Sequence, residues 1–475
     1  MNARDVAARV LVRVEKERAF AAAALEAELG RAVQLDARDR GLATELVYGT
    51  LRVTPWLDTQ LARFAPRGTA KLDPHVRAFM TLAAYQLFFM RVPAFAAVNE
   101  AVQAVRNARG PRVAAFANAV LRRVSEEAAA LRAGANAGPV ADANAHAGAS
   151  EDAAESAGAE ANANAQAGAA PDRGRLLLES AVVESTPPWL RDALERSLGV
   201  AGARSFLRCG VEAPAVALRI EHAIEPADAR EAQRAEWIAR LRDAVPGASI
   251  EPGHASPLAI LVRGAGKPQR LPGWSEGAWS VQEEGSQVAA LAVGAQPGET
   301  VLDACAGRGN KTSLLVRAVG PGGAVDACDS SPSKLERLGE ELSRVGLQAH
   351  ATFAVDWSVG SGEVTCAYDA VLVDAPCSGV GTLRRRPEIA LRRQADDLTG
   401  LAIAQLAIAG RAASHVRPGG RLIYVVCSVL REECETVVDG LLQSTTEFSR
   451  AMADQRLLPH VDGTDGYFIA RLARR

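Results

Sequence analysis

The sequence predicts a multidomain chain: an all-α helical bundle, then a small α+β subdomain, then a doubly wound α/β domain. Three observations carry this. Before residue 130 the apolar residues recur at helical spacing. An Ala-rich stretch of low complexity then interrupts the chain. From Trp279 onward apolar strand-like runs alternate with helical segments, the pattern of a parallel sheet covered on both faces. The expected segments are 1–130 (helical), 131–172 (linker), 173–271 (α+β) and 272–475 (α/β).

The chain has 475 residues, 48% hydrophobic and 23% charged, with a net charge of -2, a globular composition large enough for several cores. It has no apolar run long enough to span a bilayer and no apolar leader at its start, so no membrane role is expected. Its seven cysteines are scattered without a C-x-x-C pair, which argues for a reducing cytoplasmic location and against a metal site. Residues 1–130 carry 19 Lys or Arg against 13 Asp or Glu. An ordinary solvated surface accounts for that excess, although Arg106, Arg109, Arg112, Arg122 and Arg123 could also contact phosphates.

In the helical region, Val6, Val10, Leu11 and Val14, then Val98, Ala101, Val102 and Val105, then Phe116, Val120, Leu121 and Val124 mark successive amphipathic helices. Pro55, Pro74, Pro93 and Pro111 fall between these helices or at their starts. From Ala133 to Ala170, 18 of 38 residues are Ala and almost none is large and apolar, so the segment reads as a flexible linker. Beyond it, a helix follows Pro187-Pro188, and strand-like Val216–Ile220 and Leu258–Val262 flank the helical EAQRAEWIARLRDAV. The α/β region then reads ETVLDAC, GAVDACD, ATFAVD, YDAVLVD, RLIYVVC and YFIARL. Asp303, Asp329, Asp356, Asp374 and Cys427 each stand at or just beyond the end of one of these runs, which suggests a single crevice along the carboxyl edge of the sheet.

Asp303-Ala304-Cys305-Ala306-Gly307-Arg308-Gly309 turns out of the first strand, and its glycines permit a close approach to a ligand. Lys311-Thr312 invites a phosphate-loop reading, but Asn310 stands where that motif needs Gly. The D-x-x-x-G-x-G spacing instead resembles the first motif of S-adenosylmethionine-dependent methyltransferases. Asp329 then matches the ribose-binding acid, and Asp356 is expected beside the adenine. Cys377, in DAPCSGVG, and Cys427, in VCSVL, stand at the mouth of the same crevice. C5 of cytosine is a poor nucleophile, but a thiolate adding to C6 activates it, and a base can then remove the C5 proton as the thiolate leaves. An acid such as Asp374 near N3 and the exocyclic amine would select cytosine, and a base held in a helix or stack would first have to be extruded.

ELVYGTLR (Glu45–Arg52), AAYQLFFMRVPAFAAVNEAV (Ala83–Val102), FANAVLRR (Phe116–Arg123), VQEEGSQ (Val281–Gln287), DAPCSGVGTLRRRPEI (Asp374–Ile389) and CSVLREE (Cys427–Glu433) together resemble the bacterial 16S ribosomal RNA cytosine-5 methyltransferases of the Sun/Fmu type. The resemblance implies a NusB-like RNA-binding bundle and an RNA-binding α+β subdomain. It also implies a Rossmann-like class I methyltransferase domain using S-adenosyl-L-methionine, with 16S rRNA as partner and no metal. It implies Cys427 as nucleophile, Cys377 assisting release and Asp374 contacting the target base. Asp303, Ala304, Cys305, Ala306, Gly307, Arg308, Gly309, Lys311, Asp329, Asp356 and Asp374 are implied around the cofactor. The chain departs from the family at Ala306–Thr312, where A-P-G-G-K-T is usual, and at Val426, where Thr is usual. Two alternatives stay open: a binding factor with a vestigial catalytic domain, and a DNA-type enzyme in which the Pro-Cys cysteine, Cys377, attacks.

Overall fold

A computed structural model of the chain describes residues 1–66, 68–133, 172–221 and 226–475. They form two compact units, Met1–Ser185 and Thr186–Arg475.

The first unit is helical: α1 (Ala3–Lys16), α2 (Ala21–Arg31), α3 (Ala37–Ala62), α4 (Pro74–Phe89), α5 (Ala94–Arg109), α6 (Pro111–Ala133) and α7 (Arg173–Ser185). Local chemistry sets the starts. Asn2 and Asp5 form a reciprocal capping box on α1, and Asp73 caps α4 with Pro74 in the first turn, where its missing N–H costs nothing. Val6, Val10, Leu11 and Val14 all face inward, as do Val98, Ala101 and Val105 of α5, so these apolar stripes are the core. Pro55 stands two residues past a kink at Val53 (φ -124°), at the start of the second of two helical stretches that run together as α3, because proline cannot continue the hydrogen-bond ladder of the first. At this kink the Trp56 backbone N–H donates to Ser185 Oγ at 3.2 Å. That bond, with the packing of α7 on α3, joins residues 173–185 to the helical unit, although they follow the linker in sequence. The linker expected over 131–172 lies, apart from its ends, outside the described residues.

The second unit opens with α8 (Pro188–Arg208) and a four-stranded antiparallel sheet. Its strands are β1 (Val216–Ile220), β2 (Ser249–Pro252), β3 (Ala259–Arg263) and β4 (Trp279–Val281), in the order β2-β3-β1-β4, with α9 (Ala227–Ala244) against β2 and β3. Trp279, taken above as the start of the α/β pattern, is instead on the edge strand of this small sheet, paired with Ile220. A three-residue strand is too short for periodicity to assign to one sheet or the other.

The large sheet comprises β5 (Thr300–Asp303), β6 (Ala324–Asp329), β7 (Ala351–Ala354), β8 (Tyr368–Asp374), β9 (Val416–Val426), β10 (Phe448–Arg450), β11 (Gln455–Leu457) and β12 (Tyr467–Arg474). Its order is β10-β12-β9-β8-β5-β6-β7, parallel from β9 to β7 and antiparallel where β12 joins β9, with β11 on β12. Both faces are covered. Val301, Leu372, Ile423 and Val425 pack toward α10 (Glu284–Leu291) and α11 (Asn310–Val319). Leu302, Val371, Val373, Leu422 and Tyr424 pack toward the other face, where Ile408, Ala409, Val437 and Leu441 meet them. Successive residues of the central strands enter opposite cores, which is why Ala370–Val373 of β8 and Leu422–Val426 of β9 read as unbroken apolar runs. The strand order reverses between β5 and β8, and the crevice at that switch point is where a doubly wound sheet offers ligand space.

Candidate active site

The loop after β5 is shaped by its glycines. Gly309 has φ +87°, and a Cβ there would stand 2.9 Å from Leu338 Cγ, so neither the conformation nor the space admits a side chain. The turn starts α11 within reach of the strand ends. Thr312 Oγ1 donates to Asp303 Oδ2 at 2.8 Å, while Asp303 Oδ1 is buried without a partner. Burial pushes the Asp303 carboxyl up to about 7, against the Thr312 bond. Ala304 and Ala306 hold the turn through backbone bonds to Leu372 O and Cys328 O. The Cys305 thiol is pushed well up, first by burial and then by the acids around it. Arg308 is exposed and lines a shallow surface hollow with Trp274 and Arg337.

Asp329, at the end of β6, accepts from the Gly307 N–H at 3.1 Å and the Ser331 N–H at 2.9 Å, and pairs with the half-exposed Lys334 at 3.2 Å. Asp356 is exposed beyond β7. Bonds from the Ser358 hydroxyl and backbone N–H hold its carboxyl below the usual range.

Lys311 donates from Nζ to Asp374 Oδ2 at 2.6 Å, and its ammonium stands 5.8 Å from the centre of the Tyr467 ring. Burial works against its charge, but Asp374, then Asp303 and Cys427, outweigh that and raise its pKa. Beyond β8 and β9 the two cysteines converge, with Cys377 Sγ 3.3 Å from Cys427 Sγ. The bond to Cys427, together with burial, pushes the Cys377 thiol well up. Gly381 allows this approach: its N–H donates to Cys427 O at 3.1 Å, and a Cβ there would come within 2.0 Å of Gly466 O.

Asp303, Lys311, Asp374, Cys377 and Cys427 thus meet at one place, with Asp329 one strand away. Sequence reasoning missed the groups behind the cysteines: Ser378, Ser428, Gln405, Tyr424 and Glu433, all buried. The repeated Cys-Ser pair in the two loops was the available signal. It also missed Arg219 on β1, fully buried, which donates to Asn310 O at 2.5 Å and Ser313 Oγ at 2.6 Å and also bonds Gln282 and Glu221. Arg219 thereby ties the small sheet to the first turn of α11.

The sheet order and the glycine turn beside a buried acid with one free oxygen define a Rossmann-like methyltransferase domain, preceded in the chain by a helical unit. Family comparison agrees with both parts. The model of the 16S rRNA methyltransferase RsmB/F family matches residues 290–473, and that of the NusB family matches residues 1–126. Ribosomal RNA small subunit methyltransferase B of Pseudomonas putida is 30% identical over 489 residues, covering 100% of this chain and 99% of its own. The probable ribosomal RNA small subunit methyltransferase B of Bacillus subtilis is 29% identical, with 100% and 99% covered. Among solved structures, that of PH0851 aligns over 99% of both chains with a TM-score of 0.75 and 21% identity, a likeness of fold. The chain belongs to the RsmB/F family of 16S rRNA methyltransferases, and its cofactor is S-adenosyl-L-methionine. Among the described residues no helix is long and apolar enough to cross a membrane, and no cluster of metal-ligating side chains occurs.

Proposed function

We propose that this protein methylates C5 of a cytosine in 16S rRNA through a covalent bond between Cys427 and C6. The carrying observation is the thiol pair, Cys377 Sγ and Cys427 Sγ 3.3 Å apart beside the Lys311–Asp374 pair. A structural cysteine needs only a small apolar hole, whereas these two thiols meet in hydrogen-bond contact just beyond the ends of two strands.

The crevice fits S-adenosylmethionine. The unpartnered Asp303 Oδ1 suits a cationic amino group, and Asp329, whose Lys334 partner is half-exposed, suits the ribose hydroxyls. When bound, the cofactor supplies an electrophilic methyl group. The chain's own residues do the rest. Cys427, its thiol proton passed to solvent, forms the bond to C6 and so places electron density on C5. Asp374, held by Lys311, faces N3 and the exocyclic amine and stabilises the adduct. After C5 carries its methyl, the C5 proton passes to solvent, its C–H electron pair re-forms the C5–C6 double bond, and the S–C6 pair leaves with Cys427 as a thiolate; Cys377, beside that sulfur, assists this elimination. Asp356, exposed and turned to Ser358, contributes at most to the adenine end.

The test is transfer of labelled methyl from S-adenosylmethionine to 16S rRNA and to duplex DNA, followed by nucleoside analysis. 5-Methylcytidine in the RNA alone is expected. Label in DNA, or at another atom of the RNA base, would sink the reading.

A further inference from the structure

Both cysteine loops end on the same buried carboxylate. Glu433 is 0% exposed and lies just beyond β9, six residues after Cys427. Its Oε1 accepts from the Ser378 backbone N–H at 2.7 Å and from Gln405 Nε2 at 3.0 Å. Its Oε2 accepts from the Ser378 hydroxyl at 2.5 Å and from the Ser428 hydroxyl at 2.5 Å. Ser378 and Ser428 are the residues directly after Cys377 and Cys427. Four donors fill the four acceptor positions of a carboxylate, and no neutral side chain of that size offers as many.

The arrangement is repeated on the two loops. The Ser378 hydroxyl also accepts from the Val380 N–H, and the Ser428 hydroxyl from the Leu430 N–H, each at 3.3 Å, so each loop is folded onto its own serine before that serine binds Glu433. Gln405 adds a bond to Pro376 O at 3.0 Å, on the other side of Cys377. Tyr424 donates to Glu433 O at 2.8 Å and fixes the main chain that carries the carboxylate. The two thiols belong to different loops; besides the Gly381 N–H to Cys427 O bond and a 3.4 Å contact between the two serine hydroxyls, this carboxylate binds both loops behind the thiols.

We propose that Glu433 is the positioning residue that sets the separation of Cys377 and Cys427, by binding the serine that follows each of them. This rests on the reading that Cys427 attacks and Cys377 assists release, because only then must both sulfurs face one carbon pair. Glu433 touches no reacting atom. It keeps the entropy of aligning two loops out of the chemical step.

The test uses the full-length protein and a readout independent of RNA. An aromatic disulfide such as dipyridyl disulfide is attacked by one thiolate, releasing one thiopyridone. The second thiol then displaces the other thiopyridone and closes a Cys377–Cys427 disulfide, followed by peptide mapping. The wild-type protein should close rapidly. Glu433→Ala should close at least about tenfold more slowly and lose roughly 10²-fold in kcat, with cofactor affinity unchanged, and Glu433→Gln should recover part of both losses. Closure at the wild-type rate in Glu433→Ala overturns the proposal, as does an unchanged kcat. Should Glu433→Ala fail to fold, the double variant Ser378→Ala with Ser428→Ala removes both hydroxyl ties, cuts the tie to the Cys427 loop, and leaves the carboxylate with Gln405 and the backbone N–H of residue 378. Wild-type closure there overturns the proposal equally. Slow closure in the variants alongside a wild-type protein that makes no 5-methylcytidine would instead reject the functional reading and leave the positioning of the thiols standing.

Discussion

Lys311 Nζ donates to Asp374 Oδ2 at 2.6 Å, joining the first turn of α11 to the end of β8. One residue therefore belongs by position to the cofactor loop and by contact to the proposed base-binding acid. With side chains 10% and 29% exposed, the pair is sheltered enough for its geometry to matter. Lys311→Met should free Asp374 to rotate and lower kcat/KM for RNA by roughly 10²-fold. Asp374→Asn should cost as much, and the double variant little more than either, because both remove one unit. Additive losses in steady-state kinetics would show that the two residues act separately.

If Asp303 holds the cofactor's amino group as proposed, cofactor binding should depend on pH. The Asp303 carboxyl titrates at about 7 because it is buried, so near pH 6 it is mostly protonated and cannot pair with a cationic amino group. Affinity for S-adenosylmethionine should rise as pH rises through 7 and then level off, with a proton released on binding below that value. Calorimetry in buffers of different ionisation enthalpy measures the proton directly, and Asp303→Asn should flatten the profile. Stability of the ligand-free protein has the opposite trend. The folded state binds this proton more tightly than the unfolded chain does, so the contribution of Asp303 falls from the ordinary carboxylate range up to about pH 7.

Asp329→Ala should weaken S-adenosylmethionine by roughly 1.5–3 kcal/mol, the worth of hydrogen bonds to a charged acceptor. Calorimetric affinity equal to wild type would place the ribose elsewhere.

Arg219→Met tests the tie between the small sheet and the cofactor loop. It leaves Asn310 O, Ser313 Oγ and the buried Glu221 without their shared donor. Removing one partner of a buried ionic network costs about 3–5 kcal/mol, so the melting temperature should fall by several degrees. Cofactor affinity should fall with it, since Asn310 opens α11. A variant with normal melting and weak binding would give Arg219 a role in the loop alone.

The large sheet was legible because its parallel strands are buried on both faces. Val371, Leu372 and Val373 go to alternate cores, so no polar residue interrupts the run, and the first polar residue, Asp374, marks the strand end and the site together. The acids and cysteines were legible for the same reason. What escaped was tertiary. Nothing local distinguishes Glu433 from its neighbour Glu432, yet Glu433 is buried under four donors and Glu432 meets Arg196 near the surface. Arg219 sits in an apolar strand and its partners come from as far as residue 313. Trp279 was assigned to the wrong sheet because three residues cannot show which neighbour they pair with.

Cys377 and Cys427 should fail differently. If Cys427 attacks C6, Cys427→Ala removes the nucleophile and no protein–RNA adduct can form. Its partner, Cys377, acts after the attack, so Cys377→Ala should still bond to the base and take the methyl to C5 but stall with Cys427 attached. That variant should accumulate an RNA-linked species, seen as a slow band on a denaturing gel that nuclease collapses. The 3.3 Å separation sharpens the expectation, because a thiol this close to the attacking sulfur is placed to act on the same carbon pair. A DNA-type mechanism with Cys377 as nucleophile reverses the pattern and traps the species in Cys427→Ala. Cysteines with only a packing role would give no trapped species in either variant and a modest loss of activity. A band in the Cys427 variant alone would therefore exchange the two roles, and no band in either would remove both residues from the chemistry.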